Sequence, residues 1–313
     1  MSPTDYAVPV FVALVIAEML WARRRAPAAY EPRDTMTSLA FGLGSTVAGL
    51  LTGGIVFALA MTLYAHRLFD IGWAWWAWGL CFVIDDFAYY WAHRFGHRVR
   101  WFWASHVNHH SSQHYNLSTA LRQTWTGFFA LGFLFRIPLA FVGFHPAMIV
   151  TAGAFNLIYQ FWIHTEAIGR FPRWFEAVMN TPSHHRVHHA TNPVYLDRNY
   201  AGTFIVWDKL FGTFEAERGD IAIHYGIVKQ LGSLACCGAF STNGSGSRAM
   251  SIPLRGGTSW GICGANPAGA MMAAAILRPR SARAGKKRRR ARPGLPPPNS
   301  LRGFNRSLNP LAT

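Results

Sequence analysis

The sequence is poor in charged residues, and their distribution is uneven. Only 14% of the 313 residues are Asp, Glu, Lys or Arg, whereas soluble domains contain about 25%. Residues 221–313 contain 14 Lys and Arg and no acidic residue, so they supply most of the net charge of +16. Because the basic character is confined to one end, it does not indicate a nucleic-acid-binding protein, and we expect no nucleic-acid partner.

The sequence also lacks the cysteine patterns that stabilise secreted domains or bind zinc. Its four cysteines follow no C-x-x-C spacing and form no paired framework: Cys81, Cys236, Cys237 and Cys263. We expect reduced thiols, which is compatible with a site that faces the cytoplasm. There is no G-x-G-x-x-G fingerprint and no recognisable haem motif, so no built-in redox cofactor is indicated.

What the chain has in abundance is apolar sequence, with 51% hydrophobic and 15% aromatic residues. A transmembrane helix needs about 20 predominantly apolar residues, and several segments approach or exceed this length. They are residues 6–22, 38–64, 71–92, 125–144 and 146–163. The sequence therefore predicts an all-α protein, a polytopic membrane helix bundle with four to five spans.

Basic residues predict the orientation of this bundle. Arg23, Arg24 and Arg25 follow the first apolar segment, whereas a cleavable signal peptide has its positive charges before the apolar run. By the positive-inside rule the N-terminus lies outside, and the first, third and fifth spans end in the cytoplasm. Residues 165–230 would then form a histidine-rich helical cap on the cytoplasmic face of a multi-pass integral membrane protein.

Histidine is the residue that these spans and their connections repeat at metal-ligand spacing. His93 and His97 lie four residues apart, so in a helix they share one face. Two later clusters follow the pattern H-x-x-H-H, and His164 stands alone between them. The first of these clusters is His106, His109 and His110, and the second is His185, His188 and His189. Three spaced clusters indicate a metal site, although any one of these histidines alone would be interpreted as a core or surface residue.

The number and type of these side chains narrow the choice of metal. Imidazole suits iron, zinc, copper and nickel, whereas magnesium and calcium prefer oxygen ligands. A single zinc ion needs about four ligands. Eight or nine convergent histidines are therefore too many for one ion and suit two, and open positions on such a pair fit iron that binds O2 better than structural zinc.

The three boxes and their flanks, including HHSSQHYNLSTALRQ and NTPSHHRVHH, resemble the fatty acid hydroxylase/sterol desaturase superfamily of membrane di-iron proteins. The flanks are most similar to its alkylglycerol-monooxygenase-like bacterial branch, and the resemblance covers about residues 35–230. It implies two iron ions with O2 as co-substrate. The implied metal ligands are His93, His97, His106, His109, His110, His164, His185, His188 and His189. His114 and His184 would lie near the ligands or the substrate.

Asp86 completes the candidate site because a carboxylate inside a predicted span is costly and by default functional. Asp86, Tyr90, His93 and His97 lie on one stripe of a helix. We predict that Asp86 accepts a hydrogen bond from a ligand histidine and orients its ring, with pairing elsewhere in the bundle as the alternative. Residues 197–200 are a further segment that could pair with the ligand shell.

The predicted function is O2-dependent oxidation of a lipid, by hydroxylation or desaturation of an aliphatic C–H bond. The substrate class implied by the resemblance is a fatty acyl chain, an ether lipid or a sterol-like molecule. An external electron donor is expected, such as a cytochrome b5-like protein, a ferredoxin or a reductase. The alternatives are a membrane protein that binds or transports metal, and an inactive member of the family.

Three regions are predicted along the chain. Residues 1–34 form an N-terminal membrane helix and a basic loop, and residues 35–230 form the membrane domain. Residues 231–313, rich in Gly, Ser, Ala, Pro and Arg and containing KKRRRAR at 286–292, are expected to form a basic, disordered tail. A shifted reading frame of the gene is the alternative origin for this tail.

Overall fold

The computed structural model describes residues 3–228, and within this range the secondary structure is helical. The α-helices are α1 (Pro3–Arg25), α2 (Pro32–Ala65), α3 (Trp75–Arg98), α4 (Arg100–His110), α5 (Leu117–Ala120), α6 (Ile137–Val142), α7 (Pro146–Trp162), α8 (Arg173–Glu176), α9 (Pro182–His189) and α10 (Val206–Leu210). Two 3-10 helices occupy Pro27–Ala29 and Gly132–Phe135. Residues 3–228 contain no β-strand, only two isolated bridges, so the predicted all-α class is confirmed for them. The predicted tail, residues 231–313, and three of the four cysteines lie outside the described residues.

Helices α1 and α2 are long and apolar enough to cross a membrane. Within residues 3–228, two segments are long and apolar enough by length and composition, Tyr6–Arg25 and Pro32–Ala65. α2 begins where Glu31 accepts a hydrogen bond from the backbone N–H of Asp34 (2.6 Å) and where Pro32 occupies the first turn, a position that proline favours. Leucines on α2, including Leu50 and Leu51, are exposed, as expected of side chains that face lipid.

Helices α3 and α7 form the centre of the bundle and run in the same direction. Asp86 of α3 is hydrogen-bonded to Asn156 of α7, and one apolar cluster joins Ala77 and Cys81 to Met148 and Ala152. Neither helix is both as long and as apolar as α1 and α2. α7 is short, with 17 residues, and two aspartates within the apolar run of α3 lower its hydropathy.

Long-range contacts bring three helix ends to one end of the bundle. α3 carries His93 near its end, His164 follows the end of α7, and Glu18 of α1 accepts a hydrogen bond from Thr165. α2 runs in the opposite direction, because Asp34 near its start contacts Arg122 whereas Ala60 near its end packs with the cluster around Cys81. We refer to the end that carries His93 and His164 as the histidine end.

Residues 125–144, which the sequence suggested as one of the helical spans, do not form one continuous helix. The segment consists of turns, a 3-10 helix at Gly132–Phe135 and the short α6. Leu131 has a left-handed backbone (φ 58°), and Pro138 lies in the first turn of α6, where its missing N–H is tolerated. The segment still crosses the bundle, because Trp125 donates to the carbonyl of Phe41 and Leu139 lies in the cluster at the opposite end.

Candidate metal centre

Nine buried or half-buried histidines converge at the histidine end in two groups. Within each group the candidate ligand atoms all lie within 4.8 Å of one another. The first group is His93, His97, His106, His110 and His188, and the second group is His109, His164, His185 and His189. These are the nine residues that the sequence suggested as ligands. The two groups adjoin, since the rings of His110 and His189 stack at 4.3 Å.

Each group combines histidines from distant parts of the chain. The first group takes two side chains from the last turns of α3, two from α4 and one from α9. The second takes one from α4, one from the residues just after α7 and two from α9. α4 and α9 each supply both groups because the H-x-x-H-H spacing places the two adjacent histidines about 100° apart around the helix.

The hydrogen bonds of the second group show which ring nitrogens hold lone pairs. His164 Nδ1 lies 2.7 Å from the carbonyl of Gln160, and His109 Nδ1 lies 3.3 Å from the carbonyl of Arg122. Since a carbonyl only accepts, both Nδ1 atoms carry the proton and both Nε2 atoms are acceptors. Yet these two Nε2 atoms are 3.2 Å apart. Two lone pairs at this distance repel unless a cation lies between them.

The first group has the same arrangement. His93 Nδ1 donates to the carbonyl of Tyr200 (2.7 Å), and His188 Nδ1 donates to the carbonyl of Arg198 (2.9 Å). Their Nε2 atoms therefore hold lone pairs, and the buried Nε2 of His188 has no hydrogen-bond partner among the described residues. Buried polar atoms without a partner are rare and need an explanation. A metal ion would supply one.

Protonation of the imidazole rings does not supply the positive charge that the facing Nε2 atoms need. Burial is the main cause that lowers the pKa of His185 and of His188 well below its ordinary value, and the neighbouring histidines lower it further. Burial likewise lowers the pKa of His109 to about 4. The rings are therefore neutral near pH 7, which is the form that binds metal. The donor set fits two transition-metal ions and does not fit magnesium or calcium.

The segment 197–200 closes the first group from outside, as the sequence suggested. Its carbonyls at Arg198 and Tyr200 accept the two imidazole N–H groups described above. Asp208 holds this segment by accepting hydrogen bonds from the backbone N–H of Tyr200 (2.9 Å) and of Ala201 (2.8 Å). Such outer contacts fix the tautomer and the orientation of a ligand ring.

The predicted hydrogen bond from a ligand histidine to Asp86 is not found. Asp86 is fully buried, and its carboxylate accepts from the backbone N–H groups of Thr203 (2.7 Å) and Phe204 (3.0 Å). It also accepts from the side chains of Asn156 and Trp207, each at 2.9 Å. Two backbone donors and an indole are nearer than any imidazole, so Asp86 fixes residues 203–207 to α3 instead of orienting a ligand.

His114 and His184 lie outside both groups. His114 Nδ1 is 3.0 Å from the carbonyl of Ala28, at a half-buried position. His184 is buried on α9 beside Glu176 (3.9 Å) and the ring of Phe214 (5.3 Å). Although His184 lies one turn before His188 on α9, its ring contacts Glu176 and Phe214 and belongs to neither group. The structure therefore does not bring these two residues to the candidate metal centre.

Two charged residues near the centre have structural roles that the sequence analysis did not identify. Arg122, whose carbonyl accepts from His109, forms a buried ion pair with Asp34 (2.6 Å). Glu18, the one acidic residue of the apolar run 6–22, accepts from the backbone N–H of Leu117 (2.8 Å) and from Thr165, the neighbour of His164. A lone carboxylate inside an apolar helix was the available signal for Glu18.

The fold and the site define a helical protein with long apolar helices and an all-histidine centre suited to two metal ions. Residues 78–213 match the family model for fatty acid hydroxylase. This range begins within α3 and includes all nine histidines of the two groups. Residues 78–213 belong to the fatty acid hydroxylase family, as the sequence resemblance indicated.

Curated relatives agree with this assignment. The chain is 39% identical to an alkylglycerol monooxygenase of Danio rerio over 236 residues, which is 73% of the chain and 51% of the relative. It is 41% identical to the alkylglycerol monooxygenase of Homo sapiens over 229 residues, 72% of the chain and 50% of the relative. A cholesterol 25-hydroxylase of Homo sapiens is 27% identical over 143 residues, 42% of the chain and 49% of the relative. The chain thus spans about half the length of these relatives. No solved structure matches it.

Proposed function

We propose that this protein is an O2-dependent di-iron enzyme that oxidises an aliphatic C–H bond of a lipid. The observation that carries the proposal is the pair of facing Nε2 lone pairs in the second group, repeated by the partnerless Nε2 of His188 in the first. Such an arrangement is costly without a metal ion. The family match and the names of the relatives, monooxygenase and hydroxylase, support oxidation as the chemistry.

The chain's own residues would bind and orient the two ions. The five histidines of the first group would hold one ion, and the four of the second group would hold the other. Backbone carbonyls fix four of the rings by accepting their Nδ1 protons, namely those of His93, His109, His164 and His188. The buried rings also exclude bulk water from the centre. Iron, when bound, supplies the activation of O2 and the oxidising power for the C–H bond.

The proposed substrate is a membrane lipid, with a fatty acyl, ether-lipid or sterol-like chain. Supporting observations are the apolar helices α1 and α2 and the lipid-hydroxylating relatives. An apolar groove of about 380 Å³ lies between α3 and residues 135–144 and is lined by Phe87 and Trp91. These residues lie on the face of α3 opposite His93, so this groove is not the route to the centre. Hydroxylation and desaturation both stay within the proposal.

We also propose a multi-pass topology in which the histidine end faces the cytoplasm. The supporting observations are the parallel directions of α1, α3 and α7 and the arginines at the end of α1. Residues 1–34 would be the entry helix and loop, residues 35–230 the membrane domain, and residues 231–313 a basic tail. Because no redox cofactor motif is present, electrons would come from an external donor such as a cytochrome b5-like protein, a ferredoxin or a reductase.

Metal transport is the competing function that the sequence left open. A transporter places its ionisable residues along a path near the membrane midplane. Here the nine histidines gather at one end of the bundle, beyond the apolar parts of α3 and α7. This arrangement favours a resident metal centre. An inactive family member could retain all nine histidines in position, so conversion of a lipid is the observation that distinguishes it from an active enzyme.

Elemental analysis of the purified protein tests the proposal. A histidine substitution in one group should remove the ion of that group and leave the other ion bound. We expect about two iron ions per chain in the unaltered protein. His188→Ala should lower the iron content by loss of the ion in the first group, and His109→Ala by loss of the ion in the second. The double variant should lose both ions. Zinc in place of iron, or metal content unchanged by both substitutions, would refute the di-iron assignment. Conversion of a lipid, followed by mass spectrometry with labelled O2, then identifies the product.

A further inference from the structure

A second candidate site lies outside the metal centre, in a basin of about 210 Å³ between α8, α9 and α10. Three cations line it, each from a different part of the chain: Arg170 from the loop before α8, Arg173 from α8 and Lys209 from α10. The buried His184 and Ser183 also line it, together with Glu176 and Glu217. The proposed oxidation uses none of these residues.

The two carboxylates of the basin already have partners. Glu217 is held by Arg186 through two hydrogen bonds, of 3.0 and 2.8 Å. Glu176 accepts from the backbone N–H of Phe171 (3.0 Å) and from the hydroxyl of Ser183 (2.9 Å). Its charge is therefore stabilised by local donors. The basin does not depend on Arg170, Arg173 or Lys209 to neutralise these acids.

The three cations keep their positive charge available. Lys209 donates to the carbonyls of Glu176 (2.9 Å) and Ala177 (2.8 Å), and Arg170 donates to the carbonyl of Glu217. Carbonyls satisfy hydrogen bonds but do not neutralise a charge. Arg173 is exposed and has no carboxylate within ion-pair distance in the described part of the chain. The basin is therefore a positively charged concavity, suited to an anion with several oxygens.

Exposed apolar residues directly follow three of the lining residues, Arg173, Ala177 and Lys209, along the chain. Trp174 is 75% exposed and Leu210 is 70% exposed, and Val178 lies one turn after Trp174. The aromatic side chains next to α10 pack against α3 below the histidines, with Trp207 on Phe87 (5.1 Å) and Phe204 on Phe82 (5.9 Å). α10, which carries Lys209 and Leu210, therefore lies beside α3 at a level between its apolar middle and its histidines. Exposed tryptophan with basic neighbours is typical of a membrane interface.

We propose that this basin binds the phosphate of a lipid headgroup. The two guanidinium groups and the ammonium group would contact phosphate oxygens, while Trp174, Val178 and Leu210 would insert among the acyl chains beside it. The required chemistry is a phosphate mono- or diester attached to an apolar tail. The proposal does not depend on the metal centre, since no histidine of the two groups lines the basin.

Native mass spectrometry of the full-length protein in a neutral detergent tests this proposal. The probes are phosphatidylglycerol, diacylglycerol with the same chains, and inorganic phosphate alone. The variant is the triple substitution Arg170→Gln, Arg173→Gln and Lys209→Gln. The control is Arg23→Gln, Arg24→Gln and Arg25→Gln, which removes three exposed charges from the end of α1 and leaves the basin intact. Both variants retain residues 229–313, so binding of anionic lipid to that basic segment cancels in the comparison.

We expect the basin variant to bind phosphatidylglycerol at least about tenfold more weakly, given about 1 kcal/mol for each basic residue near an anionic surface. The control should stay within about twofold, and diacylglycerol binding should not change. Trp174→Ala should weaken the phosphatidylglycerol complex and leave inorganic phosphate unaffected. Equal losses in the basin variant and the control would overturn the proposal in favour of diffuse charge. Inorganic phosphate that binds as tightly as the lipid would overturn the headgroup assignment.

Discussion

At the scale of single residues, the hydrogen bond made by one nitrogen of an imidazole determines the chemistry of the other. The carbonyl of Gln160 fixes the proton of His164 on Nδ1, and the carbonyl of Tyr200 does the same for His93. Each Nε2 is then an acceptor that points into its group. Spacing in the sequence can suggest which histidines share a helix face. The tautomer of each ring depends on acceptors far away in the sequence.

The two histidines outside the groups provide a matched test of the ligand set. His114 bonds to the carbonyl of Ala28, and His184 lies beside Glu176. We expect His114→Ala and His184→Ala each to keep the full metal content of the unaltered protein, because neither ring reaches a proposed ion. His164→Ala, a change of the same type within the second group, should lose metal. Elemental analysis of the three proteins checks the assignment, and loss of metal in His184→Ala would contradict it.

Asp86 is expected to matter for stability instead of ligand orientation. Asp86→Asn would replace one carboxylate oxygen with an amide N–H2, which would face either the donors of Thr203 and Asn156 or those of Phe204 and Trp207. Leaving buried donors without an acceptor costs about 1–3 kcal/mol for each group. We expect a lower unfolding temperature in detergent, measured by thermal denaturation. Asp70→Asn is the control, because Asp70 is exposed and its ion pair with Arg67 is 3.5 Å long at the surface. An Asp86→Asn protein as stable as the control would refute this role.

At the scale of helices, a buried ion pair joins α2 to the chain that leaves α4. Arg122 and Asp34 have side chains that are 2% and 1% exposed, and Arg122 also donates to Ser38 (3.1 Å) and Ser111 (2.8 Å). The carbonyl of the same Arg122 accepts from His109. The start of α2 and the second group of histidines are therefore connected through one residue.

Asp34→Ala should destabilise the protein strongly. Removing one partner of a buried ion pair leaves a buried charge and costs about 3–5 kcal/mol. The double variant Asp34→Ala with Arg122→Met should recover part of this loss, because no unpaired charge remains. Asp70→Ala, which breaks the exposed pair with Arg67, should cost less than about 1 kcal/mol. Chemical denaturation of the four proteins checks the order. Equal stabilities of Asp34→Ala and Asp70→Ala would contradict the structure.

The sequence predicted some elements better than others, for physical reasons. The periodic histidines and the long apolar runs of α1, α2 and α3 depend on local spacing, so they were predictable. The Asp34–Arg122 pair joins residues 88 positions apart and leaves no local signal. The interrupted path of residues 125–144 depends on contacts such as Trp125 with Phe41, whereas its composition resembles that of a helix. The partners of Asp86 could not be inferred because residues 203–207 lie far along the chain.

At the scale of the whole molecule, the direction of each helix determines where the candidate metal centre lies relative to the membrane. α2 has 34 residues, which at 1.5 Å per residue gives about 50 Å. This length exceeds the roughly 30 Å of the hydrocarbon core. Its two ends therefore fall on opposite sides if it crosses the bilayer. The start of α2 lies with Arg122 at the histidine end, and its last residues lead to the loop that contains Asp70.

Cysteine labelling in intact cells tests this topology. In a background with all four native cysteines changed to serine, Arg24→Cys and Arg100→Cys place thiols at exposed positions of the histidine end, and Asp70→Cys places one at the other end. We expect a membrane-impermeant maleimide to label Asp70→Cys in intact cells and the other two only after permeabilisation. The physical reason is that the arginines at the ends of α1 and α3 favour the cytoplasm. Iron and the electron donor would then reach the histidines from the cytoplasm. Labelling of Arg24→Cys and Asp70→Cys from the same side would refute a membrane-spanning α2, and reversed labelling would place the metal centre outside.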